Sequence, residues 1–455
     1  MRERMTFHAF TEFGWTDGTR GLWRDEVLVP PRRVKEADFW IEIARRAEQA
    51  RFDSLFLADA VGMGGFGNDD LRGEIREGRM LLWDPSVLVG VLSQHTEHLG
   101  FVFTNSILQD HPFTFARRAS TLDHLTEGRI GWNIVTSYSP NAARNFGMDD
   151  LPPRDERYAW AQEYADATYA LWEGSWEEDA LVRDAARAMF IDPDKVHTVD
   201  HVGRRYRIQG PHMTSPTVQR TPLLLQAGGS PAGRAFAARN AELQFLALGS
   251  EEQIAADIAD VRRLSAAAGR RPGDLKFILE VSFVVGSTEH EARRMATELG
   301  KFADDDDMIS DMSTSIGVDL SRFGPDTPVS VILQHATSGG MTGVRDAMIA
   351  RLPKDRPATL RDLMDLRGTV GHVVGTPEQI VEQIQRWQDI GVGGITVGMT
   401  RRPGSFFDFV DQVTPLLQER GLAQREYSPG SLRSKVMGYG DRLPPTHPAA
   451  RFRRS

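Results

Sequence analysis

Cysteine is absent from all 455 residues. That absence removes disulfide frameworks, thiolate zinc sites, iron–sulfur clusters and cysteine nucleophiles together. A basic excess is also missing: 54 Lys and Arg stand against 63 Asp and Glu, a formal net charge of −9. Sequence-independent nucleic-acid binding needs a basic footprint, so that class is excluded. Long apolar runs are lacking as well. The stretch 85–92 is among the longest, far short of the roughly 20 residues of a membrane span. The opening Met1-Arg2-Glu3-Arg4-Met5 is charged and leads into no secretory apolar segment. The remaining composition, 40% hydrophobic and 26% charged, is that of a soluble globular chain with a large core. The expectation is a cytoplasmic, enzyme-sized protein with no nucleic-acid or membrane partner.

Short apolar runs alternate with longer amphipathic stretches. Strands are predicted at 7–10, 54–58, 99–106, 129–136, 222–227, 243–248, 275–285 and 394–397. Helices are predicted at 35–51, 85–95, 112–125, 157–172, 231–240, 251–268, 289–302 and 377–390. Near-continuous apolar strands separated by helices imply a parallel sheet buried on both faces. Eight such units imply a closed (β/α)8 TIM barrel over residues 5–420. Two stretches break the rhythm, 173–221 and 304–375, and are expected to be insertions over the barrel's C-terminal face. The segment 421–455, rich in Arg, Pro and Gly, is expected to be an extension, either poorly ordered or embracing a second subunit.

Several motifs look like chemistry out of context. Gly62-Met63-Gly64-Gly65-Phe66-Gly67 matches G-x-G-x-x-G, but polar, acidic residues follow where a helix must open. It is read as a loop, and no other nicotinamide fingerprint is visible. His197 and His201 are four apart, yet Thr198 stands where a zincin motif needs its glutamate. No metal site is expected. Ser230 is followed directly by Pro231 and fails as a nucleophile elbow. The acids Asp304 to Asp307 read as a solvated helix end.

Other motifs gather at predicted strand ends, which converge on one face of a barrel. Ala227-Gly228-Gly229-Ser230-Pro231 closes a strand and opens a helix. The glycines allow close backbone approach, Ser230 suits the N-cap and Pro231 the first turn. Such a helix start offers free N–H groups to an anion. Asp59 ends the second strand, Thr104-Asn105-Ser106 the third, and Asn133 with Thr136-Ser137 the fourth; Arg157 and Tyr158 open the next helix. Singly, each has a bland role as a cap or a backbone partner. Jointly they mark a ligand site.

The chain resembles the nitrilotriacetate monooxygenase, dibenzothiophene sulfone monooxygenase and pristinamycin synthase group of bacterial-luciferase-like flavin monooxygenases. The resemblance is carried by Trp132-Asn133-Ile134-Val135-Thr136-Ser137, Ala142-Ala143-Arg144-Asn145-Phe146-Gly147, Asp155-Glu156-Arg157-Tyr158, and Pro403-Gly404-Ser405-Phe406-Phe407-Asp408. What it implies is a barrel that uses reduced FMN and O2 to oxygenate a small organic substrate. A separate NAD(P)H:flavin reductase would supply FMNH2, and a homodimer or homotetramer is expected. Asp59, Ser137 and Tyr158 would contact flavin, and Ala227, Gly228, Gly229 and Ser230 would hold its phosphate. Ser106, Ile107 and Asn133 would lie at the flavin's reactive edge as catalytic candidates.

Two departures stand out. Ile107 occupies a position where relatives usually carry a small residue or threonine, and an apolar wall there would reshape the oxygen pocket. The regions Phe13-Gly14-Trp15-Thr16-Asp17 and Ser313-Thr314-Ser315-Ile316-Gly317 hold no histidine, although some relatives carry one in each. The flavin itself would then carry the oxidising chemistry without an imidazole base. A deazaflavin-dependent oxidoreductase of the same fold, or a non-catalytic flavin-binding homologue, are the alternatives. Phe10, Phe13, Trp15 and Trp23 point to an apolar or aromatic substrate, though core packing is the commoner fate of such residues.

Overall fold

The computed structural model describes residues 4–15, 21–24, 33–63, 71–76, 78, 80–299, 301, 308–309, 312–313, 316–336, 342–366 and 372–454. Eight parallel strands form the core: β1 Thr6–Glu12, β2 Ser54–Ala58, β3 Gly100–Ser106, β4 Ile130–Val135, β5 Leu223–Gln226, β6 Leu243–Leu246, β7 Lys276–Val285 and β8 Gly394–Gly398. The ring closes because β8 pairs with both β1 (Thr6 with Gly394) and β7 (Gly394 with Ile278), while β7 also pairs with β6. The expected (β/α)8 barrel is therefore present. Its outer layer is α1 Ala37–Gln49, α2 Pro85–Leu92, α3 Pro112–Leu125, α4 Arg154–Gly174, α5 Pro231–Asn240, α6 Glu251–Ala267, α7 Glu289–Leu299 and α8 Pro377–Asp389.

Local chemistry sets the helix starts. Prolines occupy the first turn of α2, α3, α5 and α8, where their missing N–H costs nothing. Asp84, Ser230, Ser250 and Thr376 cap α2, α5, α6 and α8 with side-chain oxygens. α4 begins a turn earlier than the sequence pattern predicts, directly after Pro152-Pro153, which bar a helix upstream of Arg154. One strand escaped the apolar-run reading: His372–Gly375 pairs with Ser282–Val285, the upper half of β7. A helical stretch after β8, Gly404–Asp408 to Thr414–Glu419, was likewise not anticipated as a helix.

The barrel interior is filled by side chains. Phe10 stacks on Phe56 with ring centroids 5.1 Å apart, and Phe245 meets Phe56 edge-on at 5.2 Å. Below them lie Val102, Leu223, Leu225, Leu243 and Ile278. The N-terminal end is closed by the tail. Helix α9, Leu432–Met437, inserts Leu432, Val436 and Met437 into that same cluster. A Cβ on Gly100 would lie 2.4 Å from Leu432, so β3 starts with glycine where the plug sits. Arg433, wholly buried, pairs with the wholly buried Glu242 at 2.7 and 2.9 Å and donates to the carbonyls of Thr221, Pro222 and Asp441. Glu242 also accepts from Tyr439 and the Leu224 amide. The described part of the tail, through residue 454, thus packs onto its own barrel.

The two insertions take different courses. Residues 175–222 follow α4 and run along the outside of α3 and α4. There the amides of Arg205 and Tyr206 donate to Glu163, and Trp160 donates to Tyr206. His197 and His201 sit here, facing different glutamates, Glu177 at 2.8 Å and Glu163 at 3.9 Å. The second insertion builds a separate small core from Met312, Ile316, Leu320, Ile332, Met348 and Leu363, among others. Its Asp346 and Ala350 reach the cavity described below. The acidic run at 304–307 and the glycines at 64–67 lie outside the described residues. Among the described residues, no helix is long and apolar enough to cross a membrane.

Candidate active site

A cavity of about 630 Å³ opens at the C-terminal ends of the strands, within the size range of small-molecule and cofactor pockets. Asp59, Ser106, Asn133, Ser137, Tyr158 and the run Ala227 to Ser230 all line it. Nine of the ten residues given a cofactor or catalytic role by the resemblance are therefore brought together.

Ile107 is the exception. It is 1% exposed and lies in the apolar layer between barrel and helices, its amide bonded to the Val135 carbonyl at 3.1 Å. The cause is the two-residue period of a strand. Thr104 and Ser106 face the cavity, so the next side chain along turns away from it. Leu108 is buried in the same layer. Of the four aromatic residues near β1, Phe10 lines the cavity. Phe13 packs edge-on against Trp40 and Trp83, Trp15 lies beside Lys35, and Trp23 is 44% exposed. Thr16, Asp17, Thr314 and Ser315, in the two regions without histidine, lie outside the described residues.

One end of the cavity is built around the start of α5. Ser230 Oγ accepts from the Gly233 amide at 3.1 Å and the Ser230 carbonyl from the Arg234 amide at 2.8 Å; Pro231 has no N–H, so the Ala232 amide is the donor this turn can offer. Tyr158, on α4, reaches over this turn, and its Oη accepts from Gln226 Nε2 at 3.2 Å. A Cβ on Gly228 would stand 2.1 Å from Tyr158 Oη and 2.5 Å from that amide nitrogen; on Gly233 it would stand 2.7 Å from Oη. Glycine at both positions is what lets α4, the end of β5 and α5 converge. Arg154, Arg157 and Arg234 add positive charge to the cavity lining, Arg234 being tied to Asp257 at 3.1 Å. The Arg157 guanidinium donates to the Ser137 carbonyl. It thereby holds Ser137 at φ 57, a left-handed conformation unusual for serine. Ser137 Oγ in turn meets Ser106 Oγ at 2.8 Å.

Elsewhere the lining is acidic or unserved. Asp59 accepts from Gln109 Nε2 at 3.2 Å, yet burial pushes its carboxyl up to about 6. Asn133 donates to Thr104 Oγ1 at 3.0 Å, but among the described residues its Oδ1 has no partner. Gln226 Oε1 and Gln244 Oε1 are also buried without partners among the described residues. Buried polar atoms are normally hydrogen-bonded, so three orphaned acceptors around one cavity describe a site shaped for a ligand. Glu280, on β7, faces the cavity, its side chain accessible to the cavity space but walled in by the barrel. Burial first, and the nearby charge of Glu12 second, push its carboxyl up to about 7.

Gln244 and Glu280 were not singled out from the sequence. Their signal was present: one glutamine within Leu243-Gln244-Phe245-Leu246, and one acid in the middle of the ten-residue apolar β7. An acid in the middle of an otherwise apolar strand interior is a functional-site candidate in its own right.

Comparison with known proteins bears on these features. The model of the luciferase-like monooxygenase family matches residues 7–394. Dimethyl-sulfide monooxygenase of Hyphomicrobium sulfonivorans is 36% identical, over 100% of this chain and 94% of that protein. Dibenzothiophene-sulfone monooxygenase of Rhodococcus erythropolis, one of the group the sequence resembles, is 35% identical over 96% of this chain and 97% of that protein. The crystal structure of riboflavin lyase with modified FMN and riboflavin superposes with a TM-score of 0.91 at 32% identity, covering 100% of both chains.

Proposed function

The chain belongs to the luciferase-like monooxygenase family of oxidoreductases, and from that premise we propose that it is the oxygenating component of a two-component system that uses FMNH2 and O2. The observation that supports this reading is the α5 start: the Ala232 amide, Gly228 pressed against Tyr158, and nearby arginines make a cradle suited to a phosphate. The unpartnered Asn133, Gln226 and Gln244 carboxamides fit a heterocycle rich in donors and acceptors. In this reading Ala227, Gly228, Gly229 and Ser230 hold the flavin phosphate, and Asp59, Ser137 and Tyr158 contact the cofactor. Ser106 and Asn133 face the reacting atoms. Ile107 supports this wall from behind, through the core, instead of forming it.

Reduced flavin, when bound, supplies the two electrons with which O2 delivers one oxygen atom to the substrate and the other to water. The protein's own part is orientation and exclusion of water. Tyr158 and the Ser106–Ser137 pair fix polar groups at the cavity wall. Phe10, Phe56 and Phe245 present apolar surface that keeps the site dry. Asp59, held near 6 by burial, can exchange a proton near neutral pH. The same reading carries a small organic substrate, a separate NAD(P)H:flavin reductase, a cytoplasmic location and a homodimer or homotetramer. Val87 and Val91, 66% and 39% exposed on one face of α2, offer an apolar stripe for such assembly.

The test is electron supply. The purified chain with FMN and NADH should consume no NADH beyond the rate of the buffer. Adding a flavin reductase, or chemically reduced FMN, should start O2 uptake by the mixture and, with a substrate, add one oxygen to its mass. Sustained NADH oxidation by the chain alone would defeat the two-component reading.

A further inference from the structure

The barrel interior carries acceptors with nothing to accept from. On β7, Ile278 belongs to the interior apolar cluster, so Glu280, two residues on, points inward as well. No hydrogen-bond partner serves its carboxylate among the described residues, and Glu12, another acid, is the charge it feels. On β4, a Cβ on Gly131 would meet Val102 and Leu225, which makes 131, 133 and 135 the inward positions. Asn133 is 6% exposed there, with Oδ1 unpartnered.

Around this acid the aromatic rings form an arc on consecutive strands. Phe245 stands on β6, Glu280 on β7, Phe10 on β1 and Phe56 on β2, all lining the one cavity. Between Glu280 and Phe10 the ring of strands passes through β8, whose paired residue beside Phe10 is Gly398. Gly398 also pairs with Ser282, two residues beyond Glu280, and a Cβ there would stand 2.5 Å from the Ser282 hydroxyl, so glycine at 398 makes room for that serine. An unpartnered carboxylate and an apolar aromatic wall on one open cavity match the needs of an organic cation: charge from the acid, and apolar contact for the carbon groups of the head.

We propose that the interior end of this cavity is a subsite for an organic cation, a protonated or quaternary amine, seated on Glu280, with the aromatic cluster of Phe10, Phe56 and Phe245 in the wall of the same cavity. The proposal rests on the monooxygenase reading only in assigning the α5 end of the same cavity to flavin. It gives the substrate a chemical class: an amine whose ammonium group anchors at Glu280 while the part to be oxygenated extends toward the strand ends. Burial and the Glu12 charge hold the empty carboxyl partly protonated at neutral pH, and an arriving cation draws it into the ionised form.

The experiment uses two probes of one shape, phenethylammonium and 2-phenylethanol, titrated calorimetrically into the full chain and into Glu280→Gln. The wild-type chain should bind the ammonium at least tenfold more tightly than the alcohol. In Glu280→Gln that preference should fall to within twofold, while FMN affinity, followed by fluorescence, stays within twofold of wild type. Equal affinity for the two probes, no binding of either, or a preference that survives in Glu280→Gln would each overturn the proposal. So would a large loss of FMN affinity in Glu280→Gln, which would assign the carboxylate to the cofactor. Failure of the wild-type chain to bind FMN would instead strike the monooxygenase reading and leave the ammonium preference to stand or fall by itself.

Discussion

The two ends of the barrel treat buried polar groups in opposite ways. At the N-terminal end, Arg433 and Glu242 are wholly buried, and each is served from several sides by carbonyls, an amide and a tyrosine hydroxyl. At the C-terminal end, Asn133, Gln226 and Gln244 keep unpartnered oxygens, and Asp59 and Glu280 hold protons that free carboxyls would release. The same eight strands carry both ends. One end is closed by covalently attached chain, so its polar groups are satisfied within the fold. The other withholds satisfaction until something binds. Functional sites are commonly drawn from such under-satisfied regions, because the interactions left unmade inside the protein are available to a ligand.

The sharpest way to break this contrast is at the plug. Arg433→Met leaves Glu242 as an uncompensated buried charge, which should cost about 3–5 kcal/mol. Urea denaturation should show it as a lower midpoint, and adding Glu242→Leu should recover much of the loss. A cost below about 1 kcal/mol would mean the plug is not the satisfied network described.

The next effect lies at the open end. Gly228→Ala places a methyl group 2.1 Å from Tyr158 Oη, displacing the tyrosine or the α5 turn. FMN affinity should drop roughly ten- to hundredfold, equivalent to losing one charge-assisted contact of about 1.5–3 kcal/mol. Flavin fluorescence titration measures it, and unchanged affinity would move the phosphate site away from α5.

The smallest effect sharpens the comparison through pH. The Glu280 carboxyl sits at about 7 in the folded chain against an ordinary 4.5. Its contribution to stability is therefore fully present below about pH 4.5 and is lost as pH rises through about 7. Glu280→Gln removes that loss. The ligand-free variant should be more stable than wild type at pH 8, by about 1 kcal/mol once screening by cavity water is allowed for. The difference should vanish near pH 4. A variant that gains nothing at pH 8 would show that Glu280 is already compensated.

Much of this architecture was legible in the order of residues. The eight apolar runs, the prolines at helix starts and the polar strand ends Ser106, Asn133 and Ser137 follow from local rules that hold wherever a barrel closes. Gly228 and Ser230 were readable for the same reason, since a turn that needs glycine and a cap that needs serine are local facts. What stayed hidden depends on contacts distant in the chain. Arg433 looks like any tail arginine until Glu242 is placed beside it, almost 200 residues away in sequence. Glu280 had a local signal, but its meaning came from which strands face it. Ile107 shows the opposite error: similarity of position suggested a cavity residue, while Ser106, the last residue of β3, faces the cavity and the side chain that follows it turns into the layer beneath the helices.

The way the ring closes has a kinetic side. β1 pairs with β8 across 388 positions (Thr6 with Gly394), and Arg4 meets Lys435 across 431. During synthesis the sheet from β1 to β7 has two raw edges until β8 leaves the ribosome, and its hollow stays uncapped until α9 follows. Contacts this distant are slow to form, and exposed strand edges invite pairing with neighbouring chains. The helices must therefore shield an unfinished ring for most of its assembly, and the late arrival of α9 locks a structure that until then can still open.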